Sequence, residues 1–523
     1  MPGLATTLSD RQAIWAFVLG CAAVTAGVLF HLPMFAMARA MHYRLAGMPM
    51  GGTMIFGMAL IIGGVFVAAY GLLPRNVAAQ RAAAAEILVG APEDARLGRP
   101  HWILMFVLTI ALVIDVMKPA ALGFTVPGMI SEYGVPKATV SLVPFFALLG
   151  TVTGSVIWGW IADIYGRKAS ILLSAVMFVG TSICGAMPSL AWNIGMCFMM
   201  GAAAGGMLPV TYALLAEMMP SRHRGWSLVL VGGLGAVGGY FAASGLSAAL
   251  QPIFGWRILW LANLPTGLTL VLLGGLIPES AKFLLARGRP QEAEAVMRRF
   301  GAVAQAVPAG SVHAGHARLS GMQLIGKLAA LSITALAWGL VNFGLLLWLP
   351  ADLVAKGYSV GLSSKLLAES ALIAFPTVFV AAFLYSRWST KWSLVAMIAI
   401  TLLGLIGVLH LELAGQGSPV WPVALMIVGS NGIIAIVLPY TAESFPLRVR
   451  GRATGWVAAC TKAGGLAAQA LSIAALTPSM GNGALMIMVP TVLALGLVAW
   501  FGRETRGVDL RALDPEEVAQ FAY

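Results

Sequence analysis

Long apolar runs separated by short polar joints dominate this chain, and that pattern commits it to lipid as its main solvent. A helix needs about 20 apolar residues to cross a bilayer, and fourteen such runs can be placed between residues 13 and 502. In hydrocarbon every backbone amide and carbonyl must be satisfied within the segment, so runs of this length are expected to be helices. Only 10% of the 523 residues are charged and 59% are hydrophobic, whereas an ordinary soluble domain is about one-quarter charged. These proportions exclude a soluble enzyme, a disordered chain and a nucleic-acid-binding module. The net charge of +12 therefore needs a membrane explanation. Cys21, Cys184, Cys197 and Cys460 each lie inside an apolar run, with neither a disulfide framework nor a zinc spacing. The first run, 13–38, is too long for the core of a signal peptide and a second span follows at once, so it is read as retained.

Charge orients the spans. Basic residues cluster in alternate joints: Arg167 and Lys168, Arg222 and Arg224, Lys282 to Arg318, Arg387 and Lys391, Arg448 to Arg452, Arg503 and Arg506. Lys and Arg near span ends stay on the cytoplasmic side, so these joints and both termini are expected there. Arg39 and Arg44 occupy the one joint that runs against this pattern. The high Ala and Gly content suggests a bacterial inner membrane.

An internal repeat sets the architecture. Residues 216–225 read AEMMPSRHRG and residues 442–451 read AESFPLRVRG, identical at six of ten positions at an offset of 226. Each copy closes one span and opens the next. The expected organisation is all-α and membrane-spanning. An additional two-helix hairpin (1–73) leads through a cytoplasmic linker (74–101) to a six-helix half (102–277). A cytoplasmic loop (278–327), a second six-helix half (328–502) and a cytoplasmic tail (503–523) follow.

Residues 159–168 (GWIADIYGRK), the duplicated E-x-x-P-x-x-x-R-G (Glu217 to Gly225, Glu443 to Gly451), PESAKFLLARGRPQEA (278–293), FGWR (254–257) and NFGLLLWLP (342–350) closely resemble the major facilitator superfamily, in its sugar-porter-like and organic-ion-transporter-like branches. The resemblance covers roughly 400 residues. It implies a conformational latch at the cytoplasmic rim built from Gly159, Asp163, Gly166, Arg167, Lys168, Glu217 and Arg224, with Glu443 and Arg450 as the second-half counterpart. Gly159 is expected to permit close helix approach. The second half departs from the pattern, because 385–394 (YSRWSTKWSL) contains no acid. GGLGAVGG (232–239) contains a formal G-x-G-x-x-G, but without a preceding strand it reads as close helix packing rather than a dinucleotide site. The span 226–249 lacks both the Gly-Pro usual in antiporters of the family and the Gln usual in its sugar porters, which points away from a drug antiporter and from sugar.

An ionisable group deep in a span costs roughly 2.5–3.5 kcal/mol on insertion scales, so each one is a candidate for function. Asp115 and Lys118 sit near mid-depth of the first core span, at an i, i+3 spacing that puts them on one helix face. Lys462 lies about ten residues into its span, with Gln469 two turns on. Trp338, Asn342, Asn431 and Tyr212 add polar or aromatic reach. In such folds the binding site lies at midplane between the repeats. Lys118 and Lys462 are expected to attract an anionic group there, with Asp115 as the coupling carboxylate. A self-neutralising Asp115–Lys118 pair is the bland alternative.

The hairpin is rich in Met and His (His31, Met34, Met37, Met41, His42, Met48, Met50, Met54, Met58). Soft ligands of this kind suit Cu(I), but Met is also ordinary apolar filler, and a packing or protein-binding hairpin is the preferred reading. No metal or other cofactor is expected. The leading function is a proton-coupled symporter of a small organic solute, an anion or similar metabolite, working by alternating access, and not an enzyme. The alternatives are a non-transporting receptor or assembly factor on the same fold, and a copper-linked transporter using the hairpin.

Overall fold

The computed structural model describes residues 11–73, 87–90, 96–286, 289–301, 303–306, 322–415, 417–445 and 447–506. Thirteen helical segments among them are long and apolar enough to cross a membrane. The hairpin is α1 (Arg11–Leu29) and α2 (Gly52–Leu72). The first half comprises α3 (Arg99–Tyr133), α4 (Leu142–Tyr165), α5 (Arg167–Gly180), α6 (Leu190–Ala204), α7 (Met207–Met218), α8 (Ser221–Phe254) and α9 (Asn263–Leu273). Two short helices follow, α10 (Ala281–Ala286) and α11 (Pro290–Phe300). The second half comprises α12 (Met322–Leu340), α13 (Leu346–Ala355), α14 (Val360–Ala374), α15 (Thr377–Arg387), α16 (Thr390–Ala414), α17 (Val420–Ser444), α18 (Leu447–Ile473) and α19 (Met480–Phe501).

The fourteenth expected span falls on α18. Its 27 residues reach about 40 Å at 1.5 Å per residue, but Arg448, Arg450, Arg452 and Lys462 make it less apolar than the rest. Besides helices, the loops contribute one small antiparallel pairing, Ile87–Gly90 with Val303–Ala306, which joins the linker to the loop between the halves.

The repeat is visible in the helices: α8 begins at Ser221 and α18 at Leu447, the offset seen in the sequence. Each of these two helices crosses to the opposite half. Helix α8 packs on α14, α15 and α17, while α18 packs on α4, and α3 meets α13. Glycines permit the closest crossings. A Cβ on Gly235 would stand 2.4 Å from the Leu112 side chain, and one on Gly239 2.6 Å from Val116, so GGLGAVGG is a packing surface for α3. Gly159 corrects the sequence reading, since a Cβ there would meet nothing within 4 Å. The close approach on α4 is made by Gly150 and Gly154 against α6.

Helices α1 and α2 pack through Gly20, Gly27, Gly57, Gly64 and Gly71, and the pair lies against α5. His31 is buried, with Nδ1 2.8 Å from the Gly27 carbonyl. Met34 and Met54 are buried in the hairpin's packed core, while Met37 and Met41 are exposed. The methionines and histidine singled out for copper thus point to different surroundings.

Candidate functional site

Helix α3 carries Asp115 and Lys118 one turn apart, both buried, and the structure separates them. The Lys118 ammonium turns to the end of α5, donates to the Phe178 carbonyl at 3.1 Å and lies 3.6 Å from the centroid of the Phe178 ring. Helix α5 tightens into a 3-10 turn after Gly180, which changes the helical bonding around that carbonyl. Thr181 and Ser182 hydroxyls donate to it as well. A cation there also complements the negative end of the helix dipole. Among the described residues no ion pair joins Asp115 to Lys118, so the self-neutralising pair is not formed. Lys118 serves the interior of the first half.

Asp115 Oδ1 is buried without a hydrogen-bond partner, and the carboxylate lies within electrostatic reach of Lys462 of the second half as well as of Lys118. Lys462 is half-buried on α18, with its ammonium 5.0 Å from the centroid of the Phe343 ring. Phe343 and Asn342 lie in a π-turn, Val341–Leu345, which links α12 to α13; such turns are frequent at functional sites. Trp338 meets Phe343 edge to face at 5.5 Å, and its buried Nε1 has no partner. The Gln469 amide donates to the Phe343 carbonyl and so holds the π-turn. The result is an ammonium of the second half on a ring that packs against another, with a carboxylate of the first half within electrostatic reach.

Other expected site residues lie apart from this group. Asn431 lines a crevice of about 220 Å³ between the halves, with Val229, Gly233 and Val378. Tyr212 is buried with its ring hydroxyl against Gly232 of α8.

The duplicated motifs lie at one end of the bundle, here called the motif rim. Arg167 pairs with Glu217 at 3.3 Å and donates to the Ala162 carbonyl at 2.7 Å. Its backbone amide and that of Ser280 both donate to Glu279, at 3.1 and 2.9 Å, and the Ser280 hydroxyl donates to Glu217. Gly166 has φ +99°, and a Cβ there would come within 2.5 Å of Glu279 Oε2, so only glycine fits this turn. Lys168 is fully buried within electrostatic reach of Glu279. Burial pushes the Glu279 carboxyl up to about 6 against the pull of the Ser280 amide and Lys168. Arg224 sits in the first turn of α8. The side chains of Asp163 and Arg450 lie outside the described residues.

In the second half Glu443 accepts the Tyr385 hydroxyl at 2.6 Å and the Thr505 hydroxyl at 2.8 Å. The acid missing from 385–394 arrives from the tail. Glu504 accepts the Ser389 hydroxyl, the Thr390 amide at 2.9 Å and the Thr390 hydroxyl at 2.7 Å. Burial pushes Glu504 up, but these donors outweigh it and hold the carboxyl below its usual range. The segment 385–394 itself has no acid, as read, and the tail supplies one to it. Glu504 follows Glu279 by 225 residues, within one residue of the repeat offset, and that was the available signal. The halves touch here, since a Cβ on Gly225 would stand 3.1 Å from the Tyr385 ring.

At the opposite end, Glu132 and Arg257 form a buried ion pair at 2.7 Å. FGWR marked Arg257, but nothing in the sequence marked Glu132.

A family profile described as "Major Facilitator Superfamily" matches residues 102–469. The chain is 27% identical to a niacin transporter of Acinetobacter baylyi, covering 82% of this chain and 99% of that one. It is 23% identical to a benzoate transport protein of the same organism, over 82% and 94%. It is 33% identical to a 4-hydroxybenzoate transporter of Pseudomonas putida, over 37% and 43%. In fold it resembles a proton:xylose symporter with a TM-score of 0.63 at 17% identity, covering 79% of this chain and 98% of that one.

Proposed function

The chain belongs to the Major Facilitator Superfamily and is an integral membrane transporter of a small organic solute, not an enzyme; from that premise we propose that its cargo is an aromatic carboxylate, moved together with a proton. The reading is carried by the Lys462 ammonium on Phe343, itself packed on Trp338, with the unpartnered Asp115 of the other half within electrostatic reach. A cargo carboxylate makes a charge-assisted hydrogen bond to the Lys462 ammonium, and its ring packs on Phe343 and Trp338. Asp115 loses its countercharge as the cargo takes the lysine, and a proton on Asp115 neutralises it. The proton and the cargo therefore enter together. Rocking of the halves about this midplane site then exposes it to the other side. The names of three relatives, for niacin, benzoate and 4-hydroxybenzoate, support an aromatic acid.

The basic clusters support a cytoplasmic side for the motif rim and both termini, in what we read as a bacterial inner membrane. Arg167, Glu217, Glu279 and their second-half counterparts hold that rim closed in this arrangement. Transporter relatives leave the receptor and copper readings without a favouring observation.

The test is uptake of radiolabelled benzoate and nicotinate into proteoliposomes under an imposed pH gradient. The parent chain accumulates label only with the gradient. Asp115→Asn keeps cargo exchange but loses gradient-driven accumulation, and Lys462→Ala weakens apparent affinity about ten-fold or more. Accumulation in Asp115→Asn equal to the parent overturns the coupling role.

A further inference from the structure

The added hairpin ends in a loop that inserts into the first half at one carboxylate. Glu132 Oε1 accepts the backbone amides of Leu45 at 2.7 Å and Ala46 at 2.9 Å, and Arg257 Nη2 at 2.7 Å. Glu132 Oε2 accepts Trp256 Nε1 at 2.7 Å. Arg257 also donates to the Met187 carbonyl at 2.6 Å and to the Tyr133 hydroxyl at 3.0 Å, and Tyr133 accepts the Asn193 amide at 2.9 Å. The ends of α3, α5, α6 and α8 and the hairpin loop thus converge on one buried ion pair.

The loop is shaped for this contact. His42 and Tyr43 both have positive φ, 52° and 58°, a conformation that strains a residue with a side chain. Tyr43 stacks on Phe35 at 4.8 Å and meets Phe254 edge to face at 5.5 Å, and the Gly47 amide bonds to the Pro188 carbonyl at 3.4 Å. Leu45 is fully buried. The Leu45, Ala46 and Gly47 amides and the Tyr43 ring therefore hold a strained loop on the half.

The helices tied by Glu132 also close the far end of the transporter. Helix α3 meets the second half where a Cβ on Gly123 would stand 2.8 Å from the Leu347 carbonyl, and Gln251 of α8 donates to the Phe124 carbonyl at 2.9 Å. Ser247 of α8 bonds to Ser364 of α14 across the halves at 2.7 Å, and both serines are buried.

We infer that Glu132 is a positioning residue through which the hairpin braces the far gate: the docked loop fixes the ends of α3 and α8, and with them the Ser247–Ser364 contact between the halves. The hairpin moves with the first half as one body. When its loop is loosened, the gate opens more often.

The brace is tested by maleimide labelling of a cysteine at the gate, Ser364→Cys, in purified full-length protein in detergent, with the unsubstituted chain as blank. Ala46→Pro removes one donor to Glu132 and leaves the Glu132–Arg257 pair intact, whereas Ala46→Gly keeps the donor. Labelling is expected to be about ten-fold faster or more with Ala46→Pro, the effect of losing one hydrogen bond to a charged group, and within two-fold of the parent with Ala46→Gly. Hydrogen exchange over residues 41–48 checks that the loop has loosened. A loosened loop with unchanged labelling overturns the inference. If Ala46→Pro fails to fold, Ala46→Cys with Pro188→Cys, bridged by a flexible bis-maleimide, replaces it. Hydrogen exchange over 245–252 and 360–367 then stays unchanged, because hairpin and half already move together. Slower exchange on bridging means that the hairpin moves independently, and the brace is refuted.

Discussion

In the first half Glu279 accepts the amide of Arg167 at the start of α5; in the second Glu504 accepts the amide of Thr390 at the start of α16. Both place a carboxylate at a helix N-terminus, where the free amides and the dipole favour an anion. Their neighbours differ. Glu279 is fully buried beside Lys168 and touches a glycine turn, while Glu504 sits nearer the surface on two hydroxyls. Glu217 takes a guanidinium from Arg167, and Glu443 takes hydroxyls from Tyr385 and Thr505. The repeat therefore preserves the position of the acid at the rim and varies the chemistry around it.

The sharpest break of this comparison is Gly166→Ala. A Cβ at that φ, 2.5 Å from Glu279, adds backbone strain and a clash, expected to cost about 2–4 kcal/mol. A thermal unfolding scan measures it, and a variant as stable as the parent shows that the first-half turn tolerates a side chain. Glu504→Ala comes next. It strips the Ser389, Thr390 and Arg506 donors of their acceptor and is expected to destabilise by about 1–3 kcal/mol, with faster hydrogen exchange confined to 388–392 and 502–506. The smallest effect is Tyr385→Phe, which removes one of the hydroxyls on Glu443 and costs about 1 kcal/mol.

Acidity separates the two acids by sign. Glu279 has a pKa raised by burial to about 6, so its stabilising contribution is complete below the ordinary glutamate value and is lost as pH rises through about 6. Glu504 has a lowered pKa, so its contribution is present above the ordinary value and is lost as pH falls below it. Hydrogen exchange at pH 5 against pH 7.5, corrected for intrinsic rates, is expected to show 166–170 and 278–281 better protected at pH 5. Residues 388–392 are expected to be equally protected at both. Parallel changes at both sites contradict the distinction.

Much of the fold was legible because lipid imposes a local rule: each span must be apolar over its own length, and each basic joint is counted on its own. The repeat was legible as well, because a duplicated motif keeps its spacing. The site was legible only in part. The i, i+3 spacing placed Asp115 and Lys118 on one face, yet a lysine side chain is long enough to reach the Phe178 carbonyl, and that carbonyl exists as a partner only where α5 changes its winding. Glu504 was not legible because its donors, Ser389 and Thr390, lie more than 110 residues away. Glu132 escaped because its donors come from residues 45–46 and 256–257.

What the amino-acid order decided alone was which segments enter lipid, how many there are, and that two related halves repeat at 226 residues, since hydropathy and identity are properties of each stretch by itself. Tertiary structure decided which buried charges meet. Lys118 bonds to the Phe178 carbonyl and not to its neighbour Asp115, and Glu132 clasps the hairpin, because a buried charge takes the partner that packing brings within reach, however distant in the chain.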